Sequence, residues 1–249
     1  MSGVLVVLLE NSTGLVQYLH LFSKEYVGVG ELHCNFSKGE LLDSMKLLTG
    51  KIYQRPPLRS SVSRRVRVRE VYYFDLLEIK ERRFLFKVGT ESGTYVRKLI
   101  HDLGLIMGCS AHMVELRRTK DGPFDESRAK SLWDILVAKK LLDEEHDESF
   151  IRKVVLPIEH ALVYFPSVYV KDSAVSALCH GANLAIGGIS SFEEPISKDE
   201  IVAIKTLKGE LIGMGRAIRN SLELKTLKEG WAIKIERIIM RRDLYPKMW

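Results

Sequence analysis

The chain has 249 residues, 46% of them hydrophobic and 28% charged, an ordinary balance for a soluble globular protein of one large or two smaller domains. Its net charge of +6 at pH 7 makes nucleic acid a reasonable partner. On charge alone, a basic protein that binds no nucleic acid is an equally good interpretation. No apolar run is long enough to span a membrane, and the N-terminus lacks the basic flank and cleavage site of a signal peptide. We therefore expect a cytoplasmic protein without membrane contact.

The cysteines and histidines give no sign of a metal site. The three cysteines form no close pair in the sequence, so neither a metal site nor a disulfide framework is predicted; they are Cys34, Cys109 and Cys179. Four histidines share no metal-ligand spacing and are interpreted as structural or solvated; they are His101, His112, His146 and His160. No metal ion is therefore expected.

The first predicted elements are a strand, a helix and a second strand. Val4 to Leu9 is a continuous apolar run, which predicts a strand buried on both faces. A short helix is predicted over about Thr13 to Leu21. A strand then begins at the string KEYV, where Tyr26 taken alone is an ordinary strand residue. Further on, Ser37-Lys38-Gly39-Glu40 is a capping box that predicts the start of another helix.

A basic segment follows the Pro56-Pro57 pair, which favours extended backbone. Alternation with valine places Arg65, Arg67 and Arg69 on one face of a predicted strand. The whole positive cluster comprises Arg55, Arg59, Arg64, Arg65, Arg67 and Arg69. Guanidinium groups match phosphate oxygens, and like charges on one face repel each other. A polyanion partner is therefore favoured over a merely solvated strand face.

The stretch from Gly89 to Thr119 predicts a strand, a helix and a strand. Another strand, predicted over Phe84 to Val88, leads into this stretch. Gly93 ends the first extended run, and Thr94 is expected to be the N-cap of the helix. One apolar helix face is formed by Val96, Leu99, Ile100, Leu103 and Met107, and Gly108 is the stop signal. Arg97 lies in the first helical turn, off this face, where a cation gains nothing from the helix dipole. That placement needs a functional reason.

The string SGTYVRKLIHDLG, followed by GCSAHMVELRRT, resembles the third motif of the TruB/dyskerin family of RNA pseudouridine synthases. KEYV and QRPP also resemble that family. The resemblance implies that Arg97 pairs with the catalytic aspartate, that Tyr26 stacks on the target base, and that Tyr95 and Leu99 close the pocket. It implies no cofactor. The fold it implies is α+β, a mixed, mainly antiparallel sheet with flanking helices, followed by a small C-terminal PUA β-barrel.

The catalytic aspartate itself is not in this chain. The family carries it in a G-H-x-G-T-L-D-P motif, and Ser2 to Leu5 resemble the residues just after it, so the aspartate would precede Met1. The chain as given is therefore predicted to be inactive. Two interpretations stay open: a catalytic protein represented from an internal start codon, or a non-catalytic RNA-binding scaffold. The catalytic interpretation predicts a buried Arg97 facing the missing carboxylate, and an Arg97 that points into solvent counts against it.

From about Pro166 the chain changes to short β-prone runs with many glycines, which predict a small barrel. HGANL, EIVAIKTLKGELIGMG and RRDLYPKMW resemble the PUA domain of archaeal dyskerin homologues. The expected division is a partial catalytic domain over 1–165 and a PUA domain with a tail over 166–249. Guide RNA is then expected at His180 and Gly181.

The resemblance implies uridine-to-pseudouridine isomerisation in a tRNA T-loop, or in rRNA directed by an H/ACA guide RNA. The implied partners are those RNAs and the small H/ACA ribonucleoproteins. The alternative is a scaffold of an RNA-modification or ribosome-biogenesis complex. A PUA protein with a different catalytic module is a weaker possibility, since the chain has no glycine-rich cofactor loop.

Overall fold

The computed structural model describes residues 2–56 and 62–247. These residues form two compact units, the first comprising 2–7 and 17–129, the second 8–16 and 130–247. The predicted domain boundary at residue 165 stays a prediction. None of the helices in the described ranges is long and apolar enough to cross a lipid bilayer.

The first unit is built on a mainly antiparallel sheet. Its strands are β1 (Ser2–Gly3), β2 (Lys24–Leu32), β3 (Gly50–Gln54), β4 (Arg67–Lys80), β5 (Arg83–Thr90), β6 (Ala111–Asp121) and β7 (Phe124–Asp125). The α-helices of this part of the chain are α1 (Val16–Leu19), α2 (Lys38–Leu47) and α3 (Val96–Ile106). Among the described residues the strand order is β1-β6-β2-β5-β4-β3, with β7 paired to β6. The strand predicted from KEYV and the helix predicted from Val96 are confirmed.

The core lies on one face of this sheet, where buried side chains of the strands pack against the apolar faces of the helices. Phe84 and Phe86 alternate along β5, are fully buried, and pack with apolar residues of α2 and α3 such as Leu41 and Leu103. The predicted capping box starts α2: the Ser37 hydroxyl accepts from the Glu40 N–H at 3.2 Å, and the Glu40 carboxylate accepts from the Ser37 N–H at 2.7 Å.

The prediction of a strand over Val4–Leu9 is wrong. Only Val4 in this run is buried, whereas Leu5, Val7 and Leu9 are more than half exposed. The regular strand, β1, ends at Gly3 and pairs only with β6, at the edge of the described sheet. Burial on both faces requires elements packed above and below the run, and apolar composition alone does not show that such elements are present. The helix expected from Thr13 is instead a 3₁₀ turn, Glu10–Leu15, that runs into α1.

The cysteine spacing indicated no disulfide framework, yet Cys34 and Cys109 are bonded, with their Cα atoms 6.1 Å apart. They are 75 residues apart in the sequence, but Cys34 follows the end of β2 and Cys109 precedes β6, its antiparallel neighbour. The His33 N–H donates to the Ser110 carbonyl oxygen at 2.9 Å between them. Strand pairing, which the spacing does not reveal, brings the two thiols together.

The second unit contains a six-stranded sheet among its described residues. Its strands are β8 (Ser167–Val170), β9 (Leu184–Ala185), β10 (Ile189–Phe192), β11 (Ile201–Lys205), β12 (Leu211–Ala217) and β13 (Trp231–Ile238), and its helices α4 (Leu132–Glu145), α5 (Ile151–Val154), α6 (Asp172–Cys179) and α7 (Ser221–Thr226). The strand order is β10-β8-β11-β12-β13-β9, with β8 and β11 parallel. Its own core includes Val168, Leu178, Ile204 and Ile233, all nearly inaccessible to solvent.

Candidate active site

The loop Glu91–Tyr95 connects β5 to α3 and determines how the helix begins. Gly93 has φ +77°, a left-handed conformation that favours glycine. The prediction of Thr94 as N-cap is wrong: the N-cap is Tyr95, and the Thr94 hydroxyl donates to the Glu91 carbonyl oxygen at 2.8 Å. Because that hydroxyl closes the loop on itself, the helix starts one residue later. The predicted apolar face is confirmed, with Val96, Leu99, Ile100 and Leu103 buried.

Arg97 is exposed, and no ion pair to it is found within residues 2–56 and 62–247. The expected burial of Arg97 is therefore wrong. The physical reason is its position on α3, where it lies outside the stripe formed by Val96, Leu99 and Leu103 that packs on the sheet. This exposure counts against the catalytic inference as formulated from the sequence, and the pairing of Arg97 with a carboxylate stays a prediction.

Tyr26 lies near the start of β2, half-buried against the core that also contains Leu99. Its strand partners in register are Arg118 on β6 and Val88 on β5. Burial raises the pKa of Tyr26, and the positive charge of Arg118 opposes this only in part, so the phenol is neutral at physiological pH. A neutral, partly exposed ring is suited to stacking on a base, and that role stays a prediction.

A group of charged side chains beside Tyr26 was missed by the sequence analysis. Asp121 lies 3.3 Å from the Lys24 ammonium and 3.2 Å from the Arg118 guanidinium, and the three side chains are only 10–22% exposed. Arg118 also donates from Nε to the Val4 carbonyl oxygen at 2.7 Å. Lys24 and Arg118 belong to the KEYV and ELRRT strings, but neither string indicates that their charges meet at Asp121.

Gln54 is the second residue near the site that sequence reasoning missed, although it begins the QRPP string. It ends β3 and is only 2% exposed. Its side-chain oxygen accepts from the Tyr95 N–H at 2.9 Å, and its side-chain nitrogen donates to the Tyr95 carbonyl oxygen at 3.3 Å. A residue 41 positions away in sequence thus holds the N-cap of α3.

On the opposite face of β2, Glu25 is the centre of a hydrogen-bond network. Its carboxylate accepts from Tyr73 at 2.5 Å, Thr119 at 2.8 Å and Lys87 at 2.9 Å. Burial pushes the pKa of Glu25 up, but the bonds from Lys87, Tyr73 and Thr119 together bring it below its ordinary value. Burial and the bond to Glu25 raise the pKa of Tyr73. The network therefore joins β2 to β4, β5 and β6 with one ionised carboxylate.

We expect Glu25→Gln to destabilise the first unit by about 1–3 kcal/mol at neutral pH, because an amide cannot accept all three bonds. A depressed pKa in the folded state gives stability that is present above the unfolded-state pKa and is lost as pH falls through the folded-state value. The difference between wild type and variant should therefore shrink below about pH 4. Urea unfolding at neutral and acidic pH measures both, with the exposed Glu115→Gln as control. A difference independent of pH would contradict the ionised network.

The predicted phosphate ligands do not share the same surroundings in the structure. Arg55, Arg64 and Arg65 are exposed, and Arg59 lies outside the described residues. Because β4 begins at Arg67, the expected strand face holding Arg65, Arg67 and Arg69 is correct only for the last two. The Arg69 guanidinium already has partners within the protein: it donates to the Val68 carbonyl oxygen at 2.9 Å and lies 3.7 Å from the Glu91 carboxylate.

In the second unit, His180 and Gly181 end helix α6. The His180 ring nitrogen Nδ1 contacts the Ser176 carbonyl oxygen at 2.8 Å, and Gly181 has φ +95°. Glycine in this conformation commonly follows a helix, so local structure already accounts for the HG pair. Contact of either residue with guide RNA stays a prediction. Across the described part of the chain, no group of three or more His, Cys, Asp or Glu side chains is arranged to hold a metal ion.

Comparison with known families accounts for nearly the whole chain. Residues 1–96 match the family model "TruB family pseudouridylate synthase (N terminal domain)", and residues 97–163 match "tRNA pseudouridylate synthase B C-terminal domain". Residues 166–239 match "PUA domain". The predicted α+β class with a C-terminal PUA domain is confirmed.

Individual relatives match over the full length of the chain. "Probable tRNA pseudouridine synthase B" of Archaeoglobus fulgidus is 46% identical over 248 residues, which is 100% of this chain and 76% of that protein. The protein of the same description from Pyrococcus furiosus is 46% identical over 249 residues, 100% of this chain and 73% of that protein.

Solved structures agree. "Crystal Structure of a Cbf5-Nop10-Gar1 Complex" superposes with a TM-score of 0.90 and 45% identity, covering 96% of this chain and 73% of that one. "Structure of H/ACA RNP bound to a substrate RNA containing 2'-deoxyuridine" superposes with a TM-score of 0.89 and 42% identity, covering 97% of this chain and 73% of that one. This chain therefore belongs to the TruB family of pseudouridylate synthases.

Proposed function

We propose that this protein binds RNA and receives a uridine at the site formed by Tyr26 and the start of α3. This binding is a step in pseudouridine formation. The supporting observation is the similarity, at a TM-score of 0.89 over 97% of the chain, to a protein in an H/ACA complex with bound substrate RNA. The substrates proposed are a tRNA T-loop and rRNA paired to a guide RNA. Guide RNA and small proteins equivalent to Nop10 and Gar1 are the proposed partners, since those proteins accompany the similar structure.

The reaction of the family breaks the bond between the ribose and the uracil nitrogen and rejoins the ribose to C5 of the same base. The uridine must first leave its stack to reach a pocket. Tyr26 then stacks on the base, and Tyr95 and Leu99 close the pocket. Arg97 holds a catalytic carboxylate ionised by a charge-assisted hydrogen bond. No cofactor takes part in this scheme.

The 249-residue sequence contains no G-H-x-G-T-L-D-P string, so we propose that this polypeptide by itself binds RNA without isomerising uridine. The alternative function is that of a non-catalytic scaffold in a larger RNA-modification or ribosome-biogenesis complex. Both include RNA binding, but a scaffold does not require that a uridine enter the site. Displacement of the target base therefore distinguishes them.

The experiment uses a tRNA T stem-loop labelled with tritium at C5 of its uridines. We expect binding whose dissociation constant rises roughly a hundredfold between about 50 and 200 mM salt, the dependence produced by contacts with about five phosphates. We expect no tritium release, because tritium leaves C5 only when the ribose is rejoined to that carbon. Tritium release at a rate of enzymatic turnover would overturn the assignment of the nucleophile. Failure to bind at low salt would overturn the RNA-binding role.

A charge-matched pair of variants tests where the RNA lies. Arg64→Gln/Arg65→Gln should weaken binding and lower the salt slope by about 1.4, since each lost phosphate contact on a single strand removes about 0.7. Lys139→Gln/Lys140→Gln removes the same charge from exposed ion pairs on α4 and should leave the slope unchanged. Equal effects of the two double variants would show that RNA binding depends only on the net charge of the protein and not on Arg64 and Arg65.

A further inference from the structure

The two hydrogen bonds between Gln54 and Tyr95 fix the orientation of a buried amide. The oxygen of Gln54 faces the Tyr95 N–H, and its nitrogen faces the Tyr95 carbonyl oxygen. A flipped amide would place donor against donor and acceptor against acceptor. At 2% exposure the side chain is closed to bulk solvent, so losing either bond would be costly. Gln54 is therefore matched to the backbone of this one residue.

These bonds do for α3 what its own sequence cannot. Tyr95 is the N-cap and makes no side-chain cap hydrogen bond. In a capping box, the acidic or amide side chain at the third helical position accepts from the N-cap N–H. In α3 that position is Lys98, which has no acceptor. Gln54, reaching across from β3, supplies the acceptor instead.

The other end of the same loop is held by β4. The Glu91 N–H donates to the Glu70 carbonyl oxygen at 2.8 Å, and the Glu91 carboxylate accepts from the Glu70 N–H at 3.0 Å. A Cβ at Gly93 would stand 3.4 Å from the Arg69 guanidinium, so that side chain lies against the loop. The start of α3 is thus anchored once by β4 and once by Gln54.

We infer that Gln54 is a positioning residue for uridine binding: it holds the turn that carries Tyr95 and Arg97 in the orientation the displaced base requires. The role rests on the proposed function, because it has meaning only if a uridine enters this site. Gln54 acts through Tyr95 and does not touch RNA. Its loss should therefore affect base displacement far more than RNA affinity.

The test separates binding from base displacement with one RNA, a T stem-loop carrying 2-aminopurine next to the target uridine. Fluorescence anisotropy reports binding, and the rise in 2-aminopurine emission reports unstacking of its neighbour. With Gln54→Leu we expect a dissociation constant within roughly threefold of wild type, because the phosphate contacts remain, and an emission rise reduced at least about fivefold. The matched control is Gln17→Leu, since Gln17 is the only other glutamine and is exposed.

Gln54→Glu adds a pH signature that general destabilisation would not produce. A protonated carboxyl can accept from the Tyr95 N–H and donate to its carbonyl oxygen, whereas a carboxylate can only accept. Burial raises the pKa of a carboxyl at this position. The emission rise should therefore return at about pH 5.5 and disappear by about pH 8 in Gln54→Glu, and stay level in wild type.

The outcomes are distinguishable. A wild-type protein that binds the RNA without an emission rise would overturn the proposed uridine site, and the role of Gln54 with it. A normal wild-type rise that Gln54→Leu retains in full would overturn the role of Gln54 alone. Equal loss of affinity and emission in a folded Gln54→Leu, or a pH-independent Gln54→Glu, would also overturn it, since either result indicates general damage.

Discussion

Replacing Gly104 with alanine should destabilise the first unit by about 3 kcal/mol or more, although alanine is the better helix former by about 1 kcal/mol. Gly104 lies inside α3, where the helix meets the start of β6. A Cβ there would stand 2.4 Å from the Ala111 main-chain nitrogen, 2.7 Å from its Cβ and 2.8 Å from the Ser110 carbonyl carbon. Backbone atoms cannot relieve the clash by changing rotamer as a side chain can, so the whole helix would have to shift.

The control is the same substitution at Gly39 in α2. The nearest atom to a Cβ at Gly39 is the Ser37 hydroxyl oxygen at 3.9 Å. Gly39→Ala should therefore stabilise the protein by up to about 1 kcal/mol. Urea unfolding measures both variants. A Gly104→Ala protein as stable as wild type would show that α3 does not pack against β6 as closely as described.

Gly30→Ala should destabilise the same unit by about 2–3 kcal/mol, through overpacking against a single ring. A Cβ at Gly30 would lie 2.3 Å from Cζ and 2.7 Å from Cε1 of Phe84, its strand partner on β5. Phe84 is fully buried and its ring centroid is 5.9 Å from that of Phe86, so it has no open space to enter. The effect is measured as a fall in the free energy of unfolding.

A double-mutant cycle identifies the cause. Phe84→Leu alone should destabilise by about 1–2 kcal/mol, and combined with Gly30→Ala the total should be at least about 1 kcal/mol less than the sum, because the shorter side chain vacates the space. Gly89→Ala is the control, since the three atoms nearest its Cβ all belong to Tyr73, and Gly89 lies on the opposite face of β5 from Phe84. It should combine additively with Phe84→Leu. Additivity in the Gly30 cycle would contradict the assigned clash.

The two glycines of the GVG string in β2, Gly28 and Gly30, show where local sequence reasoning stops. The GVG string is too short to indicate a phosphate loop, and the local pattern gives no other reason for its glycines. The reason for Gly28 and Gly30 is found on another strand, where Phe86 and Phe84 cross above them. Nothing within the string indicates those rings, because strand register is a long-range property.

The site divides in the same way. The helix from Val96, the capping box at Ser37 and the strand carrying Tyr26 were predictable, since each depends on neighbours within a few positions. The exposure of Arg97 was missed, because its expected burial was inferred from a proposed partner and not from its place on the helix. The strand predicted over Val4–Leu9 failed similarly, since hydrophobicity indicates a tendency to be buried but not which neighbours are present to cover it.

The sequence by itself determined the family, the α+β class and the helix and strand that carry the candidate site, because motif strings and apolar periodicity are local and additive. Only the tertiary structure decided that Cys34 meets Cys109, that Asp121 joins Lys24 and Arg118, and that Gln54 caps α3 through Tyr95. Each of those contacts joins residues more than 40 positions apart except the one between Arg118 and Asp121. Their geometry follows from strand register and helix packing, which no local pattern specifies.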